Sequence, residues 1–185
     1  MAAGFIAAGA GWLLGRGRGW FWALLCPAAA AACAHGAMGL PALWLVLGWV
    51  SARDLREMEV PDLPWWIGAG AWLALGGEAP RMLGIVGGYF GFAFGLLLQR
   101  LSVSMAGKMA YGDADVLCGT LAGLYLGPMG VCVSMGAGAA VGLVYGVGLR
   151  LRERLGEKQP FPFLPALSLG VAVGSLISQF SIRTF

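Results

Sequence analysis

Apolar runs alternate with short charged or Pro/Gly breaks along almost the whole chain. Eight such runs can be traced, over residues 2–15, 19–34, 36–52, 63–77, 82–98, 116–127, 129–149 and 162–180. None alternates with a period of two, so strands of a membrane barrel are not indicated. Long, repeated apolar runs with charges confined to the breaks predict an all-α, polytopic membrane bundle of about eight transmembrane helices, forming one membrane-embedded domain over 1–185. Trp20, Phe21 and Trp22 open the second run as interfacial anchors. The first run is followed, not preceded, by Arg16 and Arg18, so it reads as a retained helix and not as a signal peptide.

Composition sharpens this picture. Of 185 residues, 59% are hydrophobic and 11% charged, and mean hydropathy is +0.78. A soluble domain carries roughly 25% charged residues, so the bilayer is the first expected partner, and nothing points to nucleic acid. The 32 glycines suit close helix–helix approach in lipid. Cys26, Cys33, Cys118 and Cys132 all fall within apolar runs and form no CxxC pair, so they read as small buried residues. No metal site, disulfide framework or cofactor is expected. His35, the single histidine, has no evident catalytic partner.

The basic residues orient the runs. If successive breaks fall on alternate sides, Arg16, Arg18, Arg53, Arg56, Arg100, Lys108, Arg150, Arg152, Arg154 and Lys158 share one side, and Arg81 and Arg183 the other. Ten against two predicts that the first side is cytoplasmic in the cell membrane. Asp54 and the pair Asp113 and Asp115 then fall on that same side, although they took no part in the count.

Six of the nine acidic residues lie in two stretches, Asp54, Glu57, Glu59 and Asp62, then Asp113 and Asp115. Asp54 closes one apolar run and Asp115 opens another, and a carboxylate at the edge of hydrocarbon is costly enough to suggest function. An Asp opening a helix also caps its N–H groups, which accounts for Asp115 alone but not for Asp54. Two carboxyls held close in a partly dry site cannot both ionise, so one retains a proton. The ionised partner can activate water while the protonated one hydrogen-bonds a scissile carbonyl. A non-enzymatic small membrane transporter or scaffold is the alternative, since edge carboxylates also serve proton relays.

At these residues the sequence resembles the type IV prepilin peptidases, the GxGD class of intramembrane aspartic proteases. Asp54-Leu55-Arg56-Glu57-Met58-Glu59-Val60-Pro61-Asp62 is similar to the family's first-aspartate segment. Gly112-Asp113-Ala114-Asp115 is similar to its Gly-x-Gly/Ala-Asp motif. Pro162-Phe163-Leu164-Pro165-Ala166-Leu167-Ser168-Leu169-Gly170 is similar to the opening of its last helix. A second register, Ala110-Tyr111-Gly112-Asp113, would make Asp113 catalytic. The family places glycines eight and twelve residues after its aspartate, and Gly123 and Gly127 stand at those distances from Asp115, so the resemblance favours Asp115.

The resemblance implies an aspartic endopeptidase with Asp54 and Asp115 as its catalytic pair, and Gly112, Ala114 and Pro61 as motif support. It implies prepilin or pseudopilin substrates of type IV pilus or protein secretion systems, cut at the cytoplasmic face. Glu57, Glu59, Asp62 and Asp113 would attract the basic leader, unless Arg56 and Lys108 pair with them. The family's larger members carry paired CxxC motifs between the first two spans, associated with N-methylation. Here Gly15-Arg16-Gly17-Arg18 occupies that place, which implies a peptidase without the methyltransferase.

Overall fold

A computed structural model describes residues 39–106, 111–151 and 162–183, and these are helical, with no strand among them. The elements are α1 (Leu40–Glu57), α2 (Leu63–Leu75), α3 (Arg81–Ala106), α4 (Asp113–Leu151) and α5 (Leu164–Arg183). The first two apolar runs, His35, Cys26 and Cys33, Lys108 and the side chains of the basic residues from Arg150 to Lys158 lie outside the described residues.

The breaks are made by recognisable chemistry. Pro41 and Pro64 stand in the first turns of α1 and α2, where a missing N–H costs nothing. α1 stops at Met58, a left-handed residue (φ 56°) whose N–H donates to the Asp54 carbonyl at 3.2 Å. α2 stops at Gly76 (φ 80°).

α4 contains the decisive turn. Gly127 inside it has φ 75° and ψ −178°, which is not helical, and Pro128 follows. On one straight helix Tyr111 and Met135 would be roughly 36 Å apart, yet the Tyr111 hydroxyl lies 3.7 Å from the Met135 sulfur. The chain therefore reverses at Gly127, and α4 is a hairpin of two legs, 113–126 and 128–151. The Tyr125 carbonyl, near the end of the first leg, instead accepts the N–H groups of Glu78 and Ala79 at 2.8 and 3.0 Å. This tie places the α2–α3 connection against the hairpin's tip.

α3 packs antiparallel along the first leg. A Cβ added at Gly84, Gly87 or Gly91 would collide with the carbonyls of Leu124, Gly123 and Gly119 respectively, so side-chain-free backbone sets the helix spacing. α5 packs antiparallel on the second leg, where Gly170 and Gly174 lie against Ser134. α1 packs on α2 and α5, with Leu40, Leu43, Trp44, Val46, Leu47 and Val50 all fully buried.

The count of eight transmembrane helices is not supported, although six of the eight expected runs carry a helical segment and the first two lie outside the described residues. Among the described residues there are five helices; Arg81–Met105 is long and apolar enough to cross a bilayer, and Asp113–Gly148 reaches that length and hydropathy only as the sum of its two antiparallel legs. The expected runs 116–127 and 129–149 are the two legs of one element. At 1.5 Å per residue, α2 and the first leg fall short of a hydrocarbon core of roughly 30 Å. Large apolar residues such as Met82, Tyr89, Leu143 and Val144 nevertheless face outward, as a lipid-facing surface requires. Of the counted basic residues that are described, Arg53, Arg56 and Arg100 lie toward the end that carries Asp54, and Arg81, whose guanidinium bonds the Leu73 carbonyl, lies toward the other.

Candidate active site

Asp54 sits in the last turn of α1 and reaches across to the start of α5. Its Oδ2 accepts the Leu164 N–H at 3.1 Å, and the Phe163 N–H is also directed at the carboxylate. The local sequence explains why α5 needs this partner. The N–H groups of Ala166 and Leu167 bond to the Phe163 carbonyl, and Pro165 has none to satisfy. The donors that remain are those of Phe163 and Leu164, and an anion there also meets the positive end of the helix dipole. The expectation that Asp54 has no capping role is therefore corrected: it caps a distant helix and not its own. Burial pushes its carboxyl up from 3.8 to about 6, with the Leu164 and Phe163 bonds pulling the other way.

One turn before Asp54, the Ser51 hydroxyl shares a buried 2.7 Å hydrogen bond with Ser168, one turn into α5. Two cross-links on one face thus fix the register of α1 against α5.

Asp115 lies in the first turn of α4 and is 7% exposed. Its Oδ2 accepts the Gly112 N–H at 2.8 Å while its own N–H donates to the Gly112 carbonyl at 3.1 Å, so it caps its own helix as expected. The Asp115 carboxyl is within electrostatic reach of Asp54. Residues from separate stretches therefore lie toward the same end of the bundle, Asp54 at the N-terminus of α5 and Asp115 at that of α4.

Tyr111 binds the two halves together. Its hydroxyl donates to the Asp115 carbonyl at 3.3 Å, and its ring meets Phe163 edge-on at 6.2 Å. This residue was not singled out as a site candidate, because its role depends on a ring dozens of residues away.

The other candidates stand apart from this pair. Asp113 is exposed and accepts a 2.7 Å hydrogen bond from Gln99. Glu57 pairs with Arg53 at 2.7 Å, one helical turn away, and not with Arg56. Glu59, Pro61 and Asp62 are exposed in or beside the α1–α2 connection, and Ala114 is half-buried. A Cβ on Gly112 would meet only the Asp115 Oδ2, at an ordinary 3.7 Å, so tight packing of the protein does not demand glycine there. Among the described residues no cluster of His, Cys, Asp and Glu could hold a metal ion. Cys118 is buried as expected, whereas Cys132 is exposed on the outer face of the second leg.

Comparison with known proteins bears on this arrangement. The chain is 30% identical over 134 residues to a prepilin leader peptidase/N-methyltransferase of Aeromonas salmonicida (strain A449). It matches a protein of the same name from Aeromonas salmonicida to the same degree. The chain is similar to prepilin leader peptidases. The match takes in 68% of this chain and 45% of each relative, so the chain spans less than half the length of the curated relatives it matches. No family model matches the chain, and no solved structure matches it.

Proposed function

We propose that the chain is a membrane-embedded aspartic endopeptidase that removes the basic leader from prepilin-like proteins at the cytoplasmic face. The observation that carries this reading is the meeting of Asp54 and Asp115, both drawn out of solvent, at one end of a helical bundle. The similarity to prepilin leader peptidases supports the choice of substrate.

In this mechanism the pair shares one proton. The ionised carboxylate takes a proton from water as the oxygen attacks the scissile carbonyl carbon, and the protonated carboxyl hydrogen-bonds the carbonyl oxygen. A proton then passes to the amide nitrogen, the C–N bond breaks, and the pair returns to its starting state. Neither a metal nor a covalent intermediate is needed. The backbone donors at Asp54 and Asp115 hold both carboxyls in place before substrate arrives. Asp115 is the second aspartate of this reading, and exposed Asp113 tunes the site or attracts the leader together with Glu57, Glu59 and Asp62. The Asp54 end faces the cytoplasm of a multi-pass protein in the cell membrane, and cleavage occurs without methyl transfer.

Cleavage of a purified model prepilin in liposomes by wild type, Asp54→Asn, Asp113→Asn and Asp115→Asn tests the reading. Wild type is expected to cut at a single site, and folded Asp54→Asn and Asp115→Asn to lose activity by at least about a hundredfold. Loss in Asp113→Asn with survival of Asp115→Asn moves the second aspartate by two residues. A folded wild type that cuts no prepilin-like protein overturns the function.

A further inference from the structure

The two aspartates feel each other's charge, but their hydrogen bonds go elsewhere. Asp54 accepts the Leu164 N–H and Asp115 accepts the Gly112 N–H, so each carboxyl is fixed to its own surroundings and not to the other. A reaction that needs both at once also needs the interval between them held, since a misplacement of about 1 Å can cost a hundredfold in rate. A series of contacts spans that interval, and it runs through Tyr111 and Phe163.

Tyr111 precedes α4 and folds its side chain back over the first turn, where its hydroxyl donates to the Asp115 carbonyl four residues on. A buried phenol needs a partner, and by taking the main chain of Asp115 this one leaves the carboxyl open to substrate. The ring meets Phe163 edge-on, with centroids 6.2 Å apart and planes inclined at 65°. Phe163 in turn directs its N–H at the Asp54 carboxylate. Each ring is therefore tied to one aspartate, and the rings bear on each other. Both are backed by the second leg of α4. The Tyr111 hydroxyl lies beside the Met135 sulfur, and the Phe163 ring lies against Gly142, where an added Cβ would collide with it. Rigid planar side chains with a preferred separation of roughly 4.5–7 Å suit a spacer better than flexible ones.

We infer that Tyr111 is a positioning residue: its ring, edge-on to Phe163, sets the interval between Asp54 and Asp115, and its hydroxyl holds the Asp115 main chain in place. The inference rests on the peptidase reading and adds to it the group that makes two separately anchored carboxyls act as one. Tyr111 acts through Asp115 and Phe163 and takes no part in proton transfer. An aromatic pair kept for stability alone would alter how much of the chain is folded. A spacer alters what the folded chain can do.

The test uses the full chain in liposomes, a model prepilin, and the variants Tyr111→Phe, Tyr111→Met, Phe163→Met and the double Met variant. Met fills a similar space without the fixed ring, and Phe163→Met keeps the N–H that serves Asp54. Tyr111→Met and Phe163→Met should each lower kcat by about tenfold or more while KM stays within about twofold. The double variant should be no slower than the slower single one, because both remove the same contact. Tyr111→Phe keeps the ring and loses only the hydroxyl, so it should recover most of the rate and remain about threefold below wild type. A smaller folded fraction scales the whole pH profile of kcat/KM, whereas a changed interval between the carboxyls moves its two limbs relative to each other. That movement is expected in the Met variants. It should be absent in Tyr125→Phe, which loses a buried 2.9 Å hydroxyl bond to the Gly68 carbonyl, away from the aspartates. Wild-type kcat and limbs in the Met variants overturn the positioning role and leave the peptidase reading standing. If the Met variants do not fold, wild-type kcat in Tyr111→Phe overturns it in their place. A folded wild type that cuts no prepilin-like protein overturns both.

Discussion

The Asp54 carboxylate accepts the backbone N–H of Leu164 at 3.1 Å and so joins the end of α1 to the beginning of α5. This contact gives Asp54 two separable duties, as a cap and as a reacting acid, and the right pair of substitutions pulls them apart. Asn retains an acceptor for the Leu164 N–H, whereas Ala leaves it with none. At pH below 4, where the wild-type carboxyl is protonated, Asp54→Asn should keep its thermal midpoint close to that of wild type, and Asp54→Ala should lose about 1 kcal/mol more, the usual cost of removing a cap. Both should be inactive. Circular dichroism melting in detergent beside a cleavage assay checks this. An active Asp54→Asn would leave only the cap.

The raised Asp54 carboxyl makes stability depend on pH. Its value is about 6 in the folded chain against an ordinary 3.8, so the folded state holds a proton that the unfolded state releases. Stability from this group is fully present below 3.8 and is lost as pH rises through about 6. Denaturation followed between pH 4 and 7 should show wild type losing ground against Asp54→Asn over that window. The profile of kcat/KM should carry a limb near pH 6 that belongs to the coupled pair and not to one residue. A flat difference between the two proteins across the window contradicts the assignment.

The Ser51–Ser168 bond supplies a third test. Deleting either hydroxyl leaves the other buried without its partner, while deleting both removes the pair together. Ser51→Ala and Ser168→Ala should each destabilise the chain, and the double variant by less than their sum, with a coupling of about 1 kcal/mol, as for interhelical bonds in membranes. Because the bond sits one turn from Asp54, each single variant should also lower kcat more than it raises KM. Cleavage kinetics beside a double-mutant stability cycle reads both effects, and additive stability changes would show that the two hydroxyls act independently.

Much of this arrangement can be read in the sequence where the signal is local. Gly76, Gly127 and Pro128 mark the ends of apolar runs, and each of the six runs from 36–52 onward has a helical segment in the structure. Asp115 opens its helix with a self-cap, as an acidic residue beside an apolar run should. The number of full crossings is not legible in the same way. The reversal at Gly127 and Pro128 falls at the break between the runs 116–127 and 129–149, but hydropathy does not report the shortness of α2 or of the first leg of α4. Long-range partners are also invisible to periodicity. The Pro162-Phe163-Leu164-Pro165 stretch is a motif by resemblance, and its physical reason emerges only when Asp54 is found capping the helix it opens. Cys132 shows the remaining difficulty, since an apolar run in lipid has an outer face as well as a buried one.

Gly127 and Gly112 make a contrasting pair for the last prediction. Gly127 has φ 75° with ψ −178°, a region kept essentially for glycine that costs other residues about 1–3 kcal/mol, and a Cβ there would press on Ala79 at 3.3 Å. Gly127→Ala should therefore destabilise the hairpin by at least that amount and loosen the Tyr125 tie to Glu78 and Ala79. Gly112 has no positive φ and only the Asp115 Oδ2 near an added Cβ, so Gly112→Ala should fold with an unchanged thermal midpoint. If substrate backbone runs close over the start of α4, that well-folded variant should still cleave more slowly, through a higher KM. Melting curves and steady-state cleavage on the two variants separate a glycine kept for the fold from one kept for the substrate. A fully active Gly112→Ala would show that substrate does not approach at that point.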